Sequence, residues 1–500
     1  MNTSVICRGV QLLPLLLALV CTACASGPRD EGEREPVIVE APASPEDSEA
    51  MEREAAADEG VADAEEAEPE VPPAIAASEP PIAPVVMENL GEVVVAAQRH
   101  QVISGQVSEA RSLLQDVQLD YVFTGKGKNE VLRGRPVAFA LWSEATQEWL
   151  VARIEIPRPP VKWKPGKKPL PFTMLTPGIE AHHVKGTGAE RLMFAFSRNG
   201  EPLKVYGRKF PVFEDSLIKK KKWRAVAENA RPIVYLPFTE DTFDMQFVNG
   251  GREYLLSTAR KAIAELRAAQ LPGKAFPGEL LADVVPPEVI TTLAVIEQTD
   301  DADFVENREE AYNEVLNHYG LKLDEAYRYS VSRAAAIGPM QFTDRRGNGT
   351  YSMVVRKCGS ANINPDFERG ATDLLNAMKA AICLFDLELA QMRAEIRLAY
   401  HDNMQVLGIF PVAAYNGGPK NVNKLFKVIK KLGVKLEELR PAGEEPEGRK
   451  VTCPCLWKEV GDEVRPVSIP KYNNENRWYI EKYQSILGVF EPEGEPAHSG

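Results

Sequence analysis

Short runs of alternating apolar and polar residues characterise the chain between about residues 98 and 238. Alternation of this kind predicts strands that bury one face. Proline and glycine clusters separate the runs, and Asn199-Gly200 between two of them is a typical hairpin turn. The runs are 119–124, 137–142, 149–156, 192–197 and 204–213. We therefore expect a β-rich, sandwich-like domain over residues 96–240.

The periodicity changes from strand-like to helical after Asp241. Residues 252–270 are rich in Ala, Leu, Arg and Glu and stop near Pro272-Gly273, which predicts a connecting helix within residues 241–274. From Pro286 onward, helical segments alternate with short loops, and residues 491–500 form a short C-terminal tail. The expected fold class is α+β, with the β-rich domain followed by a mainly α-helical domain over residues 275–490.

The first 24 residues have the features of an export signal. Arg8 precedes an apolar run, residues 12–20, that is well short of the roughly 20 residues a helix needs to cross a bilayer. Thr22 and Ala23 lead into Cys24, which resembles the lipobox of bacterial lipoproteins. The resemblance implies that Cys24 is lipidated and anchors the protein to the outer membrane, facing the periplasm. Ordinary signal-peptide cleavage is the alternative.

Charge separates an acidic segment from the rest of the chain. Residues 25–95 contain 20 acidic and 3 basic residues, so they cannot bury enough apolar surface to fold and we expect a disordered tether spanning on the order of 50 Å. Residues 96–500 contain 55 basic and 52 acidic residues. This slightly basic body suits an anionic polymer. Nucleic acid is not expected as a partner, because no basic stripe is interleaved with aromatic residues.

Glu297 is the candidate acid of the helical part. Pro286-Pro287-Glu288 opens a helix, and Glu297 comes at its C-terminal end. Partial burial and the negative end of the helix dipole would both favour the protonated carboxyl, as a general acid requires. The apolar residues that bury one side of this helix are Val289, Leu293, Val295 and Ile296.

Four short motifs follow one another in the helical part. They are AVIEQ at 294–298, SRAAAIGPMQ at 332–341, AYNGGP at 414–419 and ENRWYI at 475–480. Their order and residues resemble the soluble lytic transglycosylase family. This resemblance implies a lysozyme-like domain that cleaves the MurNAc–GlcNAc β-1,4 bond of peptidoglycan with a single Glu, yielding 1,6-anhydro-muropeptides without a cofactor or metal.

The resemblance also implies a role for each matched position. Glu297 would be the acid/base, Tyr415 would orient it, and Asn416 would contact the sugar. Met340 and Gln341 would line the groove. The full set of implied substrate-binding positions is Ser332, Gly338, Met340, Gln341, Tyr415 and Asn416.

Two other carboxylates provide alternatives for the chemistry. Glu297 and Ser332 are 35 positions apart, so residues 303–329 are expected to form an inserted helix over or beside the cleft. Glu325, seven residues before Ser332, is the alternative acid. Asp301 would share a helix face with Glu297 if the helix continued, which would allow lysozyme-like hydrolysis with two carboxylates. A non-catalytic peptidoglycan-binding scaffold is the third hypothesis.

Four cysteines follow Cys24, and an even number in an exported protein favours disulfides. A Cys358–Cys383 bridge would close a loop of about 26 residues and stabilise the protein by roughly 3 to 4 kcal/mol in the chain-entropy model. Cys453 and Cys455 are too close for an easy ring, so each is alternatively paired with one of the other two. Their spacing does not favour zinc.

The β-rich domain contains no obvious chemistry in its sequence. It has no paired carboxylates, metal-ligand cluster or Gly-rich phosphate loop, and His182-His183 is expected to be a surface pair. We expect a binding or spacing role, including contact with a protein partner.

Overall fold

The computed structural model describes residues 90–157, 170–213, 222–237, 239–332, 334–344, 347, 349–443, 454–469 and 474–490. The predicted signal segment with Cys24, nearly all of the predicted tether, Cys453 and the predicted C-terminal tail lie outside these ranges. Among the described residues, none of the helices combines the length and the apolar character needed to cross a membrane.

The first described element is a helix, α1 (Leu90–Gln115), where the sequence predicted the end of the tether and the start of the β-rich domain. Its buried residues are Ile103, Val107, Ala110 and Leu114, which pack with Ala138, Ala140 and Tyr206 of the sheet. Positions 103, 107, 110 and 114 repeat at three- and four-residue spacing, which is typical of one helix face. The boundary drawn at residue 96 overlooked this periodicity.

The β-rich first part of the chain is confirmed. Its strands are β1 (Phe123–Thr124), β2 (Val131–Leu132), β3 (Gly134–Ser143), β4 (Glu148–Pro157), β5 (Thr173–Met174), β6 (Glu180–Lys185), β7 (Met193–Arg198), β8 (Glu201–Val212) and β9 (Arg231–Tyr235). The main sheet runs β5-β4-β3-β8-β7-β6, and β9 also pairs with β8. Long strand β8 therefore connects three antiparallel neighbours.

The hairpin between β7 and β8 forms where the sequence predicted it. Arg198 lies opposite Glu201, and Asn199 and Gly200 both have positive φ, 54° and 82°. Two consecutive residues with positive φ match the right-handed twist of the flanking strands. By contrast, the predicted run 119–124 forms strand only at Phe123–Thr124, and β6 was not predicted.

The second part of the described chain is mainly helical. One short helix, α2 (Trp223–Glu228), precedes β9 and belongs to the β-rich part. The helices of the second part are α3 (Met245–Ala268), α4 (Pro287–Gln298), α5 (Asp301–Glu306), α6 (Arg308–Lys322), α7 (Thr350–Lys357), α8 (Phe367–Thr372), α9 (Leu374–Leu389), α10 (Ala394–Asp402), α11 (Ile409–Gly417), α12 (Pro419–Lys431) and α13 (Asn474–Phe490). A hairpin of β10 (Cys455–Val460) and β11 (Glu463–Ser468) precedes α13.

Helix α3 belongs to the helical core, although the sequence suggested a separate connector. It starts at Met245, earlier than predicted, because the Asp244 carboxylate accepts a hydrogen bond from the Gln246 N–H at 2.8 Å and caps the helix. Its buried residues Leu255, Leu256, Ala259, Ile263 and Leu266 lie in the same apolar cluster as those of α4, α9 and α13.

The predicted insertion is helical, and its main helix α6 packs against α3. Glycines allow this close crossing: a Cβ at Gly251 would lie 1.9 Å from the Leu316 carbonyl oxygen, and one at Gly320 would lie 1.9 Å from the Phe247 carbonyl oxygen. Any larger residue at either position would separate the two helices. The insertion is thus an integral part of the core.

Candidate active site

Glu297 lies at the C-terminal end of α4, as predicted. Helix α4 begins at Pro287 and ends at Gln298, and Thr299 has extended backbone with φ −80° and ψ 120°. The Asp300 carboxylate then caps α5 by accepting from the Ala302 N–H at 2.8 Å. Because α4 ends at Gln298 and Thr299 is extended, the helix does not continue to Asp301, so the condition under which Asp301 would share a helix face with Glu297 is not met.

The Glu297 carboxyl group is enclosed by protein, although the residue itself keeps some exposure to solvent. The Tyr479 hydroxyl donates a hydrogen bond to Glu297 Oε1 at 3.0 Å. Burial raises the pKa of Glu297 to about 8, because it outweighs the opposing effects of the Tyr479 hydrogen bond and the Lys482 charge. With this pKa the carboxyl holds its proton at neutral pH.

The third motif, AYNGGP, lies close to Glu297 and Tyr479. Asn416 is exposed and hydrogen-bonds the hydroxyl of Tyr479. Burial, with a further contribution from the charge of Glu297, raises the pKa of Tyr415, but the Tyr415 hydroxyl donates to the Met340 carbonyl at 2.6 Å. The tyrosine that holds Glu297 is thus Tyr479, and the orienting role expected of Tyr415 is corrected. The signal for Tyr479 was its place in the closing ENRWYI motif.

The second motif forms a tight loop against α4. Gly338 has φ 76°, and a Cβ there would lie 1.9 Å from the Ala371 carbonyl oxygen. Its conformation and close contact require glycine irrespective of any glycan. Met340 is fully buried, so its side chain belongs to the core rather than to an open groove, which corrects the expectation for this residue.

The two remaining positions of this motif make local hydrogen bonds. Ser332 is exposed, and its hydroxyl accepts from the Ala336 N–H at 3.1 Å. Gln341 is partly buried, and its side-chain amide donates to the Gly338 carbonyl at 2.7 Å. These bonds shape the loop and leave Gln341 with solvent access.

Gln298 connects the first two motifs, a role that the sequence did not reveal. It is buried, with 4% of its surface exposed. Its amide donates to the carbonyls of Gly338 at 3.2 Å and Pro339 at 2.9 Å, and the Ser330 hydroxyl donates to its oxygen at 3.1 Å. The side chain next to Glu297 therefore fixes the loop against the end of α4. Its place after Glu297 was the only sequence signal.

The Asp301 carboxylate forms an ion pair with Lys482. Lys482 Nζ lies 2.6 Å from its carboxylate and also donates to the Thr299 carbonyl at 2.6 Å. The Lys482 side chain is almost fully buried, whereas that of Asp301 is 59% exposed. Asp301 therefore neutralises Lys482 at the exit of α4.

The alternative acid Glu325 lies in a different environment. Its carboxylate forms an ion pair with Arg111 of α1 at 2.7 Å, and its side chain is 45% exposed. Exposed pairs of this kind are common on protein surfaces and contribute little to stability. The Glu325 carboxylate is therefore part of an exposed ion pair between α1 and the segment after α6, in contrast to the enclosed carboxyl of Glu297.

A second uncharged acid lies in α9 and was not identified from the sequence. Glu388 is 8% exposed, and burial raises its pKa to about 8. It lies close enough to Tyr415 to raise the pKa of that hydroxyl further. In the sequence, its position within the apolar stretch of α9 could have indicated that this glutamate is buried.

Cys358 and Cys383 are both buried, and their thiols hydrogen-bond to each other. The Cys383 thiol lowers the pKa of Cys358. A bridge between these two cysteines would close the loop of about 26 residues. Cys455 lies elsewhere, in β10, where its N–H donates to the Glu481 carboxylate at 2.8 Å. The structure therefore brings Cys358 and Cys383 together, but as free thiols, so the expected disulfide between them is not formed.

The two histidines lie on edge strand β6. His182 is exposed, whereas His183 is partly buried, and its ring accepts from the Leu170 N–H at 3.3 Å and contacts the Gly186 carbonyl at 2.7 Å. Within the described residues, no group of three or more His, Cys, Asp or Glu residues could hold a metal ion.

Comparison with known proteins identifies no relative: no protein-family model, curated protein or solved structure matches this chain. We therefore infer the function from the residues and their geometry.

Proposed function

We propose that this protein is a peptidoglycan lytic transglycosylase with Glu297 as its single acid/base. The main support is the enclosed Glu297 carboxyl, which is hydrogen-bonded by Tyr479 and has its pKa raised to about 8. Perturbed carboxyls of this kind are typical of general acids. Tyr415 and Asn416, from a separate motif, lie beside it.

The geometry suits proton transfer in both directions. The Tyr479 hydroxyl donates to Oε1, so the proton of neutral Glu297 is directed to the other oxygen and can pass to the glycosidic oxygen. That bond breaks and GlcNAc leaves as an alcohol. The Glu297 carboxylate then accepts the proton of the MurNAc 6-hydroxyl as its oxygen bonds to the anomeric carbon. The product is a 1,6-anhydro sugar, and no water is consumed.

A hydrolase is the second candidate because Asp301 follows α4 closely. Retaining and inverting glycosidases hold two carboxyl groups about 5.5 Å or roughly 6.5–9.5 Å apart, and the second must be available to the sugar or to a water. The Asp301 carboxylate is bound by Lys482 at 2.6 Å. This pairing favours one-carboxyl chemistry.

The test is digestion of purified peptidoglycan with the wild type and with Glu297→Gln, followed by mass spectrometry of the soluble products. The wild type should release anhydro-muropeptides, and the variant should be slower by about 10³-fold, since general acids contribute 10²–10⁴-fold. Reducing-end products would instead indicate a hydrolase. Binding to sacculi without soluble product would support the non-catalytic scaffold.

We also propose the cellular arrangement that the N-terminal sequence suggests. A lipid on Cys24 would anchor the protein to the outer membrane, and the acidic tether would let a lysozyme-like helical domain and a sandwich-like β domain reach glycan strands in the periplasm. Fractionation of wild type and Cys24→Ser tests this, because only the wild type should sediment with outer membranes.

A further inference from the structure

The loop between β6 and β7 reaches the end of α4. One Arg191 guanidinium nitrogen donates to the Gln298 carbonyl at 2.8 Å, and another lies 3.1 Å from the Asp300 carboxylate. Gln298 and Asp300 are the first and third residues after Glu297. A side chain of the β-rich region thus contacts the backbone that carries the candidate acid.

The loop that presents Arg191 is itself fixed from the sheet. Arg208 of β8 is fully buried and donates hydrogen bonds to the carbonyls of Ala189 and Leu192, on either side of Arg191. The turn is also tight, because a Cβ at Gly186 would lie 1.7 Å from the Arg191 carbonyl oxygen. The Arg191 backbone is therefore rigidly placed.

Helix α6 holds the same loop from the other side. Lys322, its last residue, lies 2.8 Å from the Glu190 carboxylate, and each side chain is only 2% exposed. Removing one partner of such a pair leaves a buried uncompensated charge, so the contact is difficult to break. The inserted helix thus connects the loop to the helical core.

A cavity separates part of the loop from the helices. It has a volume of about 190 Å³, and its lining combines polar side chains, among them Arg191, Gln298, Asp300 and Glu314, with apolar side chains such as Met193 and Val315. Beside this cavity, Arg191 provides two polar contacts that connect the loop with the end of α4.

A second cation acts on the same helix end. Lys482 donates to the Thr299 carbonyl, next to the Gln298 carbonyl that Arg191 binds. Cations are favourable at a helix C-terminus, where carbonyls lack partners and the dipole is negative. Arg191 and Lys482 therefore hold consecutive carbonyls directly after Glu297.

We propose that Arg191 is a positioning residue: through it, the β-rich region fixes the C-terminal end of α4 and hence the direction of the Glu297 carboxyl. This inference rests on the proposed function, and it gives the β-rich region a part in building the active site. Arg191 need not touch the substrate, because it acts through the backbone of Gln298 and the carboxylate of Asp300.

The test compares Arg191→Gln, Arg191→Lys and the control Arg224→Gln in the full-length protein. Like Arg191, Arg224 makes two hydrogen bonds through its guanidinium group. Both go to the carboxylate of Glu130, and this pair lies within the β-rich region. On soluble glycan fragments, Arg191→Gln should lower kcat about ten- to a hundredfold and leave KM within about twofold, because only orientation is lost. Arg191→Lys should recover part of the rate, and Arg224→Gln should match the wild type.

Hydrogen exchange provides a readout that does not depend on activity. Amides of residues 296–304 should exchange faster in Arg191→Gln than in the wild type or in Arg224→Gln, since local opening becomes easier. Unchanged exchange there would overturn the proposal, whether or not kcat falls, and so would an unchanged kcat in an active wild type. If the wild type releases no muropeptides, the proposed function fails and exchange alone decides the role of Arg191.

Discussion

Two glutamates near the end of α4 have contrasting surroundings. Glu190 faces Lys322 at 2.8 Å, and the charge of Glu190 also acts on the nearby Arg208. Glu297 instead receives a hydrogen bond from the Tyr479 hydroxyl, while the nearby Lys482 is bound to Asp301. Burial beside a paired cation suits a structural contact. At Glu297, burial raises the pKa more than the Tyr479 hydroxyl lowers it, which keeps a proton on the carboxyl and suits acid chemistry.

Glu388 shows that burial alone does not make a site. Its pKa is also raised to about 8 by burial, but its Oε2 has no hydrogen-bond partner among the described residues. Glu297 differs because the Tyr479 hydroxyl donates to its carboxyl and the exposed Asn416 hydrogen-bonds the same hydroxyl. The two glutamates therefore differ in the partners of their carboxyl groups rather than in burial.

The largest expected effect is a pH-dependent gain in stability on Glu297→Gln. Folding raises the Glu297 pKa from 4.5 to about 8. Between these two pH values the folded protein binds more protons than the unfolded chain. The wild type therefore loses stability as the pH rises from 4.5 to about 8. At about 1.4 kcal/mol per pKa unit, the variant should gain up to about 5 kcal/mol above pH 8 and almost nothing below pH 4.5. Urea unfolding at several pH values measures this. A difference independent of pH would contradict the assignment.

Lys322→Met is expected to lower the stability of the protein through the other glutamate, Glu190. It leaves the Glu190 carboxylate buried without Lys322, which should cost about 3 to 5 kcal/mol of unfolding free energy. Adding Glu190→Leu should restore part of the loss, because the unpaired carboxylate is then removed, while Arg208 loses that counter-charge but keeps its hydrogen bonds to the Ala189 and Leu192 carbonyls. Denaturant unfolding at neutral pH provides the measurement. A single variant as stable as the wild type would show that the pair is not the contact inferred here.

The smallest effect is expected for Tyr479→Phe. The hydroxyl lowers the Glu297 pKa, so its removal should move the falling, high-pH limb of the rate profile upward by up to about one pH unit. Tyr415→Phe is the matched control, since that hydroxyl donates to the Met340 carbonyl, and it should leave the limb in place. Muropeptide release from pH 6 to 10 tests both variants. Equal shifts would mean that Tyr479 has no special role.

Local sequence features predicted the elements that carry the site. Pro287 begins α4, and Glu297 follows its apolar residues near the end. The helix propensity and the apolar pattern therefore both indicated the same helix and the same place for Glu297. The Asn199-Gly200 turn was equally clear, because its backbone conformation is set by two adjacent residues. The predicted helix in the insertion is also present, since its pattern was local.

Contacts between distant residues could not be predicted in the same way. Arg191 and Gln298 are 107 positions apart, and Tyr479 and Glu297 are 182 apart. No periodicity specifies which side chains meet over such separations. Met340 illustrates the same limit, because motif resemblance indicated its position in the loop but not that its side chain is fully buried.

The most direct test of the central claim is a carbon-13 NMR titration of the glutamate side-chain carboxyls. The account predicts two resonances with midpoints near pH 8, from Glu297 and Glu388. Glu297→Gln should remove one of them and Glu388→Gln the other. A Glu297 carboxyl that titrates near 4.5, its ordinary value, would contradict the claim that Glu297 carries a proton at neutral pH.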